Sequence, residues 1–230
     1  MRPLLASCSA DGSIRLWNLS TLTNGLGQDH MDLIDGSSAL AHTMVYNGAK
    51  PTSVDFIRHD QNKLIASYTD SQLRVFDVET GKLVQSSFKG ADSTYDKSIS
   101  TQMNRVLSHP VMPLAITAHE DHHIRFFDTR SAECSHSMVA HLDAVSSLDF
   151  SPNGLVLVSG GHDSSVRLWD VSSYACLQEF SSHRKKYDEA IHCVRFHSRN
   201  ANDPAAGVSG GSEWLATGGA DSCTKLYNFA

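Results

Sequence analysis

Residues 140–180 read AHLDAVSSLDFSPNGLVLVSGGHDSSVRLWDVSSYACLQEF, and the pattern changes along this stretch in a way that sets out four strands. Val145 to Phe150 alternates apolar and polar residues, Val156 to Ser159 is a β-branched run, Val166 to Asp170 is another, and Ala175 to Phe180 is a fourth segment. Turn chemistry separates them. Ser151, Pro152, Asn153 and Gly154 make one tight connection, and His162, Asp163 and Ser164 the next. Connections this short join antiparallel neighbours, so the stretch predicts one four-stranded sheet.

The end of that stretch recurs. Five times an aspartate is followed six residues later by an aromatic: Asp11/Trp17, Asp70/Phe76, Asp121/Phe127, Asp163/Trp169 and Asp221/Tyr227. A basic residue stands two places before each aromatic (Arg15, Arg74, Arg125, Arg167, Lys225), and Asn18, Asp77, Asp128, Asp170 or Asn228 follows it. The aromatics are 59, 51, 42 and 58 residues apart. A unit of about 40 residues with insertions is the period of WD-repeat propeller blades. The expected fold is therefore all-β, a WD-repeat β-propeller.

Within residues 140–180, His141, Ser159, Asp163 and Trp169 occupy the positions at which WD repeats resemble one another most. The chemistry is a hydrogen-bonded tetrad: the carboxylate accepts from the imidazole, the imidazole meets the serine hydroxyl, and the indole N–H donates to that hydroxyl. Stranding one partner in low dielectric costs roughly 1 to 3 kcal/mol, so this is architecture rather than catalysis. Other units keep part of the set: Ser7, Asp11 and Trp17; Thr117, Asp121 and Phe127; His183, Thr217, Asp221 and Tyr227. In the second unit Ala66 sits where the hydroxyl belongs and Phe76 replaces Trp, so that blade is expected to rely on packing alone. Its strands are expected at Val54 to Ile57, Leu64 to Tyr68, Leu73 to Asp77 and Leu83 to Phe88. Those of the third fall at Val106, Leu114 to Ala118, Ile124 to Asp128 and Cys134 to Val139.

Counting gives whole blades at about 47–89, 90–139 and 140–180, with partial blades at 1–46 and 181–230. The chain opens in a second strand at Leu4 and ends after a third strand at Phe229, so an incomplete propeller is expected, a fragment, a truncated gene model or a short isoform. A closed five-blade ring is the alternative. Ser20 to Ala41, Gly90 to Thr101 and Ser198 to Gly211 read as long polar loops.

Size and charge exclude several classes. The 230 residues are 40% hydrophobic and 19% charged, an ordinary globular balance. A net charge of -6 provides no field for nucleic acid, and the densest basic cluster, Arg184 to Lys186, is followed at once by Asp188 and Glu189. Five scattered cysteines without a CxxC fit reduced thiols in a cytosolic protein. No run approaches the length of a membrane span.

Two motifs imitate catalysts. His119, Glu120 and His123 spell HExxH, but the zincin needs a helix, whereas these residues fall at a turn between strands. They are expected to be surface turn histidines. Gly207, Ser209 and Gly211 match the nucleophile elbow without its strand and helix, and read as a glycine linker. No enzyme, metal or cofactor is expected.

Longer stretches carry a narrower resemblance. Pro51 to Arg58, Asn104 to Pro110, Ile116 to Ile124, Ser137 to Val145, and His183 to Lys186 with Ile191 and His192 resemble the striatin family over almost the whole chain. The weak second blade and the HEDHH turn are themselves part of that pattern. The loops at Ser20 to Ala41 and Ser198 to Gly211 depart from it. What the resemblance implies is a non-catalytic scaffold, a regulatory and targeting subunit of protein phosphatase 2A in an assembly with germinal-centre kinases and a Mob-like protein. The family's coiled coil and its caveolin- and calmodulin-binding segments are not among these residues, so calmodulin would be met through a segment absent here. A cytoplasmic location, peripheral to membranes, is implied as well. The runner-up is an unrelated WD-repeat adaptor such as a ubiquitin-ligase substrate receptor. Candidate partner-binding residues are loop aromatics, histidines and arginines: Arg58, Tyr95, His122, His123, Arg130, Arg184 and Tyr187.

Overall fold

The computed structural model describes residues 3–20, 39–46, 48–86, 101–181, 183, 190–197 and 213–229. Eighteen strands lie among them, in five antiparallel sheets. The first sheet holds β1 (Leu4–Cys8), β2 (Ser13–Asn18) and β3 (Leu40–Val45). The second holds β4 (Pro51–Phe56), β5 (Lys63–Tyr68), β6 (Leu73–Asp77) and β7 (Leu83–Gln85). In the third are β8 (Met103–Ser108), β9 (Leu114–His119), β10 (His123–Asp128) and β11 (Glu133–Val139), and in the fourth β12 (Val145–Phe150), β13 (Val156–Gly161), β14 (Ser165–Asp170) and β15 (Cys176–Ser181). The fifth holds β16 (Ile191–His197), β17 (Glu213–Gly219) and β18 (Thr224–Phe229).

Each sheet is a meander in chain order, and sheets succeed one another through their inner strands: β1 packs on β4, β4 on β8, β8 on β12, and β12 on β16. This is an incomplete WD-repeat β-propeller. Apolar clusters fill the spaces between neighbouring sheets. One joins Ile124 and Phe126 to Leu148, Leu157 and Trp169; another joins Val158, Val166 and Leu168 to Ile191, Val194 and Leu215. Burial falls outward, so that β15 is exposed along almost its whole length.

Three strand readings change. Leu40, expected in a loop, begins β3 and pairs with Trp17, because β2 has a free outer edge whose backbone groups need partners. Around Val106 a full strand forms, β8. The fourth strand of the second sheet is Leu83–Gln85, and its expected end at Phe88 lies outside the described residues. So do the 198–211 loop and 90–100.

The repeated aspartates have a local cause. In all five turns the carboxylate accepts the backbone N–H two residues on: Asp11 from Ser13, Asp70 from Gln72, Asp121 from His123, Asp163 from Ser165 and Asp221 from Cys223, at 2.8 to 3.3 Å. The residue between them is left-handed each time: Gly12, Ser71, His122, Ser164 and Ser222 have φ between 60° and 87°. Aspartate thus shapes the turn before it does anything else. The acid after the aromatic does the same one turn later, as when Asp170 accepts from Ser172 at 2.7 Å and Asp128 from Arg130 at 2.7 Å.

Candidate functional site

In the fourth sheet the tetrad is assembled. His141 Nδ1–H donates to Asp163 at 3.0 Å, its Nε2 lies 2.7 Å from the Ser159 hydroxyl, and Trp169 Nε1–H donates to that hydroxyl at 2.9 Å. The tautomer follows from Asp163, which only accepts. Desolvation pushes the Asp163 carboxyl up, but His141, the Leu142 N–H and Ser165 outweigh it and hold the group well below the usual range. The fifth sheet repeats the arrangement: His183 Nδ1 lies 2.7 Å from Asp221 and Nε2 lies 2.9 Å from Thr217. Each imidazole enters from the loop before an inner strand, and a glycine makes room for it. A Cβ on Gly161 would stand 2.5 Å from His141 Nδ1, and one on Gly219 would stand 2.6 Å from the His183 ring.

The second and third sheets solve the same problem differently. Strand pairing puts Tyr68, His119, Gly161 and Gly219 at one register position, opposite Pro51, Met103, Val145 and Ile191. Where the glycine is missing, a side chain from the strand itself occupies the place of the loop histidine. His119 Nε2 lies 2.7 Å from the Thr117 hydroxyl, just as His141 meets Ser159. It is 2% exposed, and burial, with Arg125 adding to it, pushes its pKa down to about 3. The expectation of a surface histidine is therefore wrong for His119. The reason is tertiary: without an incoming loop imidazole, the vacant polar position beside Thr117 is filled from β9.

The aspartates of these sheets turn to arginine. Arg125 makes two hydrogen bonds to Asp121, and Arg74 two to Asp70. Arg74 is 3% exposed and lies between two tyrosine rings, 3.8 Å from the Tyr46 centroid and 4.2 Å from that of Tyr68. Burial pushes the Tyr68 phenol up to about 12, so the ring stays neutral beside the guanidinium. The second blade does not rest on packing alone; a cation–π stack and an ion pair stand in for the tetrad. In the first sheet Trp17 Nε1–H donates to Ser7 at 3.0 Å, and Asp11 pairs with Arg15 in an exposed setting. Phe127 is buried and packs with Val106 and Ala115. The Tyr227 ring lies 4.8 Å from that of Phe180.

Sheets are also locked to one another. Asp55 accepts the Ser108 N–H at 2.7 Å and Asp149 the Phe196 N–H at 2.8 Å, equivalent bonds at two junctions. Burial raises the Asp55 pKa.

Of the residues singled out for partner binding, Arg58 and Arg130 are exposed; His122 in the β9–β10 turn and His123 at the start of β10 are half-buried, and His123 Nδ1 lies 2.6 Å from the Asp121 carbonyl. Tyr95, Arg184 and Tyr187 lie outside the described residues. Residues 119–123 form a strand end and a turn, not the helix a zincin needs, and no group of three or more His, Cys, Asp or Glu among the described residues is placed to hold a metal. The five cysteines are free thiols. No helix among the described residues is long and apolar enough to cross a membrane.

Comparison with known proteins agrees with this geometry. The family described as WD domain, G-beta repeat matches residues 2–18, 132–170 and 174–228. Its matches pass over 19–131, where Tyr68 and His119 replace the glycines. The chain is 41% identical over 225 residues to mouse Striatin, 42% over 227 to rat Striatin-3, and 39% over 228 to the Striatin homolog of Dictyostelium discoideum. These alignments cover 97%, 97% and 98% of the chain. The chain is a WD-repeat region of the striatin family. It spans about a quarter of the relatives' length, 25%, 25% and 24%.

Proposed function

We propose that this striatin-family region is a non-catalytic platform in a cytoplasmic phosphatase–kinase assembly, holding protein phosphatase 2A, germinal-centre kinases and a Mob-like protein near one another. The supporting observation is how its polar chemistry is used. His119, His141, His183, Asp70, Asp121, Asp163 and Asp221, the groups that resemble a catalyst's, are each engaged within a sheet. What remains for partners is the set of turns at the two ends of the strands, including Arg58 and Arg130. Each sheet acts as one blade, with divisions near residues 47, 90, 140 and 181. No calmodulin or membrane contact is assigned to these residues.

The test is affinity capture with the complete gene product, tagged and purified from cells. Phosphatase and kinase subunits are expected in stoichiometric amount. Their absence, or recovery of ubiquitin-ligase subunits in their place, overturns the reading.

A further inference from the structure

In four sheets the strand that carries the aromatic has an outer neighbour: β2 pairs with β3, β6 with β7, β10 with β11 and β14 with β15. Among the described residues β18 pairs with β17 alone, so Thr224–Phe229 presents an open backbone edge. The four occupied edges follow one recipe. Each outer strand runs antiparallel and shifts register at the aromatic, between Leu16 and Trp17, Val75 and Phe76, Phe126 and Phe127, and Leu168 and Trp169. Opposite the aromatic stands Leu40, Leu83, Cys134 or Cys176, and opposite the residue before it stands His42, Gln85, His136 or Gln178. Two places further on, Ile14, Ile124 and Val166 face Met44, Met138 and Phe180.

The base between them sets the remaining position. Arg15 and Arg125 pair with their own aspartates and face the neutral Thr43 and Ser137. In the fourth sheet His141 engages Asp163, and Arg167 reaches across the ladder to Glu179 at 3.0 Å. The fifth sheet is of this second kind. His183 lies 2.7 Å from Asp221, and Lys225 stands where Arg167 does. Leu226 is 66% exposed, whereas Leu16, Val75, Phe126 and Leu168 at the same position are 1 to 6% exposed.

We propose that the β18 edge accepts an extended segment of a partner protein as an antiparallel fourth strand, with the sequence leucine or cysteine, any residue, glutamine or histidine, glutamate, then phenylalanine or methionine. Its glutamate faces Lys225, its phenylalanine faces Thr224 beside the uncovered Leu226, and its leucine faces Tyr227, with the variable residue in the bulge. Main-chain hydrogen bonds hold such a strand, and cross-strand pairs select its side chains. Asp221 beside Lys225 is compatible with the glutamate, because the fourth sheet keeps Asp163 beside Arg167 and still makes the Glu179 contact. The described strands of this composition are already seated in their own sheets, which assigns the occupant to a partner.

The proposal names one docking edge of the platform described above and rests on that reading. Its test uses fluorescence anisotropy of the chain with a labelled peptide of sequence STLTQEFTS, followed by hydrogen exchange of the complex. The peptide is expected to bind and to slow exchange of the β18 amides. Glutamine in place of its glutamate should weaken binding by roughly fivefold, about the upper value of one exposed ion pair. N-methylation of its backbone should abolish binding. Lysine in place of the glutamate should also weaken it, and Lys225→Glu should restore the lysine peptide. Lys82→Glu, on the second sheet, should leave binding unchanged. Melting curves check that Lys225→Glu folds, and the peptide variants probe the same contact without altering the protein. No binding, equal affinity for the glutamate and lysine peptides, indifference to N-methylation, protection on another strand, or a β18 edge closed by a second copy of the chain would each overturn the proposal. Recovery of the phosphatase by the complete gene product alongside any of these results would remove the docking edge and leave the platform standing.

Discussion

The Arg74 guanidinium meets the Asp70 carboxylate through two hydrogen bonds, at 3.1 and 2.6 Å. The same positions in the fourth sheet are Arg167 and Asp163, and there the arginine stands 3.9 Å away and donates to the Ala140 carbonyl and Glu179. What differs is the third party. Asp163 is engaged by His141, whereas Asp70 meets no loop histidine, since Tyr68 fills that space. One repeated pair, aspartate and a base four residues on, thus serves as a switchable element that closes whichever knot the blade can build.

Arg74→Lys should show how far the second blade depends on its substitute. Lysine keeps the charge but not the bidentate fork or the guanidinium's contact with the Tyr46 and Tyr68 rings. The expected loss is about 1 to 2 kcal/mol, read as a lower denaturation midpoint. A loss near zero would mean that packing alone holds this sheet.

His119 predicts a pH dependence. Its folded pKa lies near 3, below the usual histidine value of about 6.5. The unfolded chain therefore takes up a proton first as pH falls. The contribution of neutral His119 is fully present above about pH 6.5 and is lost progressively toward pH 3, by up to about 1.4 kcal/mol per pH unit. Urea titrations across that window should find the slope reduced in His119→Gln.

Gly218 and Gly219 are neighbours in β17 with opposite expected responses to alanine. A Cβ at Gly218 meets nothing within 4 Å, while one at Gly219 stands 2.6 Å from the His183 ring. Gly218→Ala should be neutral or stabilising by about 0.5 kcal/mol. Gly219→Ala, and Gly161→Ala beside His141, should each cost about 2 to 3 kcal/mol by displacing an imidazole from its partners. Thermal melts of the variants decide it.

Trp169→Phe removes the indole donor from the buried Ser159 hydroxyl and should cost about 1 to 2 kcal/mol. In the first sheet the matching bond from Trp17 to Ser7 is exposed. Water replaces the lost donor there, so Trp17→Phe should cost less than about 0.5 kcal/mol. Equal losses would show that the indole acts by packing instead.

Much of this was legible in the residues. Aspartate–aromatic spacing marked all five sheets because each aspartate has a local duty, capping the N–H two places on, and local duties leave a fixed spacing. Antiparallel order followed from short turns. The tetrad of the fourth sheet was readable because its four residue types all recur at their family positions. His119 was not. Its motif neighbours, Glu120 and His122, lie in a turn, and nothing nearby in the chain shows that the imidazole points inward.

Sequence alone thus determined the all-β fold class and the five aspartate turns, since these depend on hydrogen bonds between positions a few places apart and on a period-two apolar pattern. Tertiary structure alone decided which side chain fills each inner knot. That depends on whether a loop from before the inner strand delivers a histidine, and on whether a glycine or a larger residue waits at the register position where it would land. The contact between His59 and Thr129 belongs to the same class of fact: the two are 70 residues apart in the chain and meet only because two sheets pack side by side.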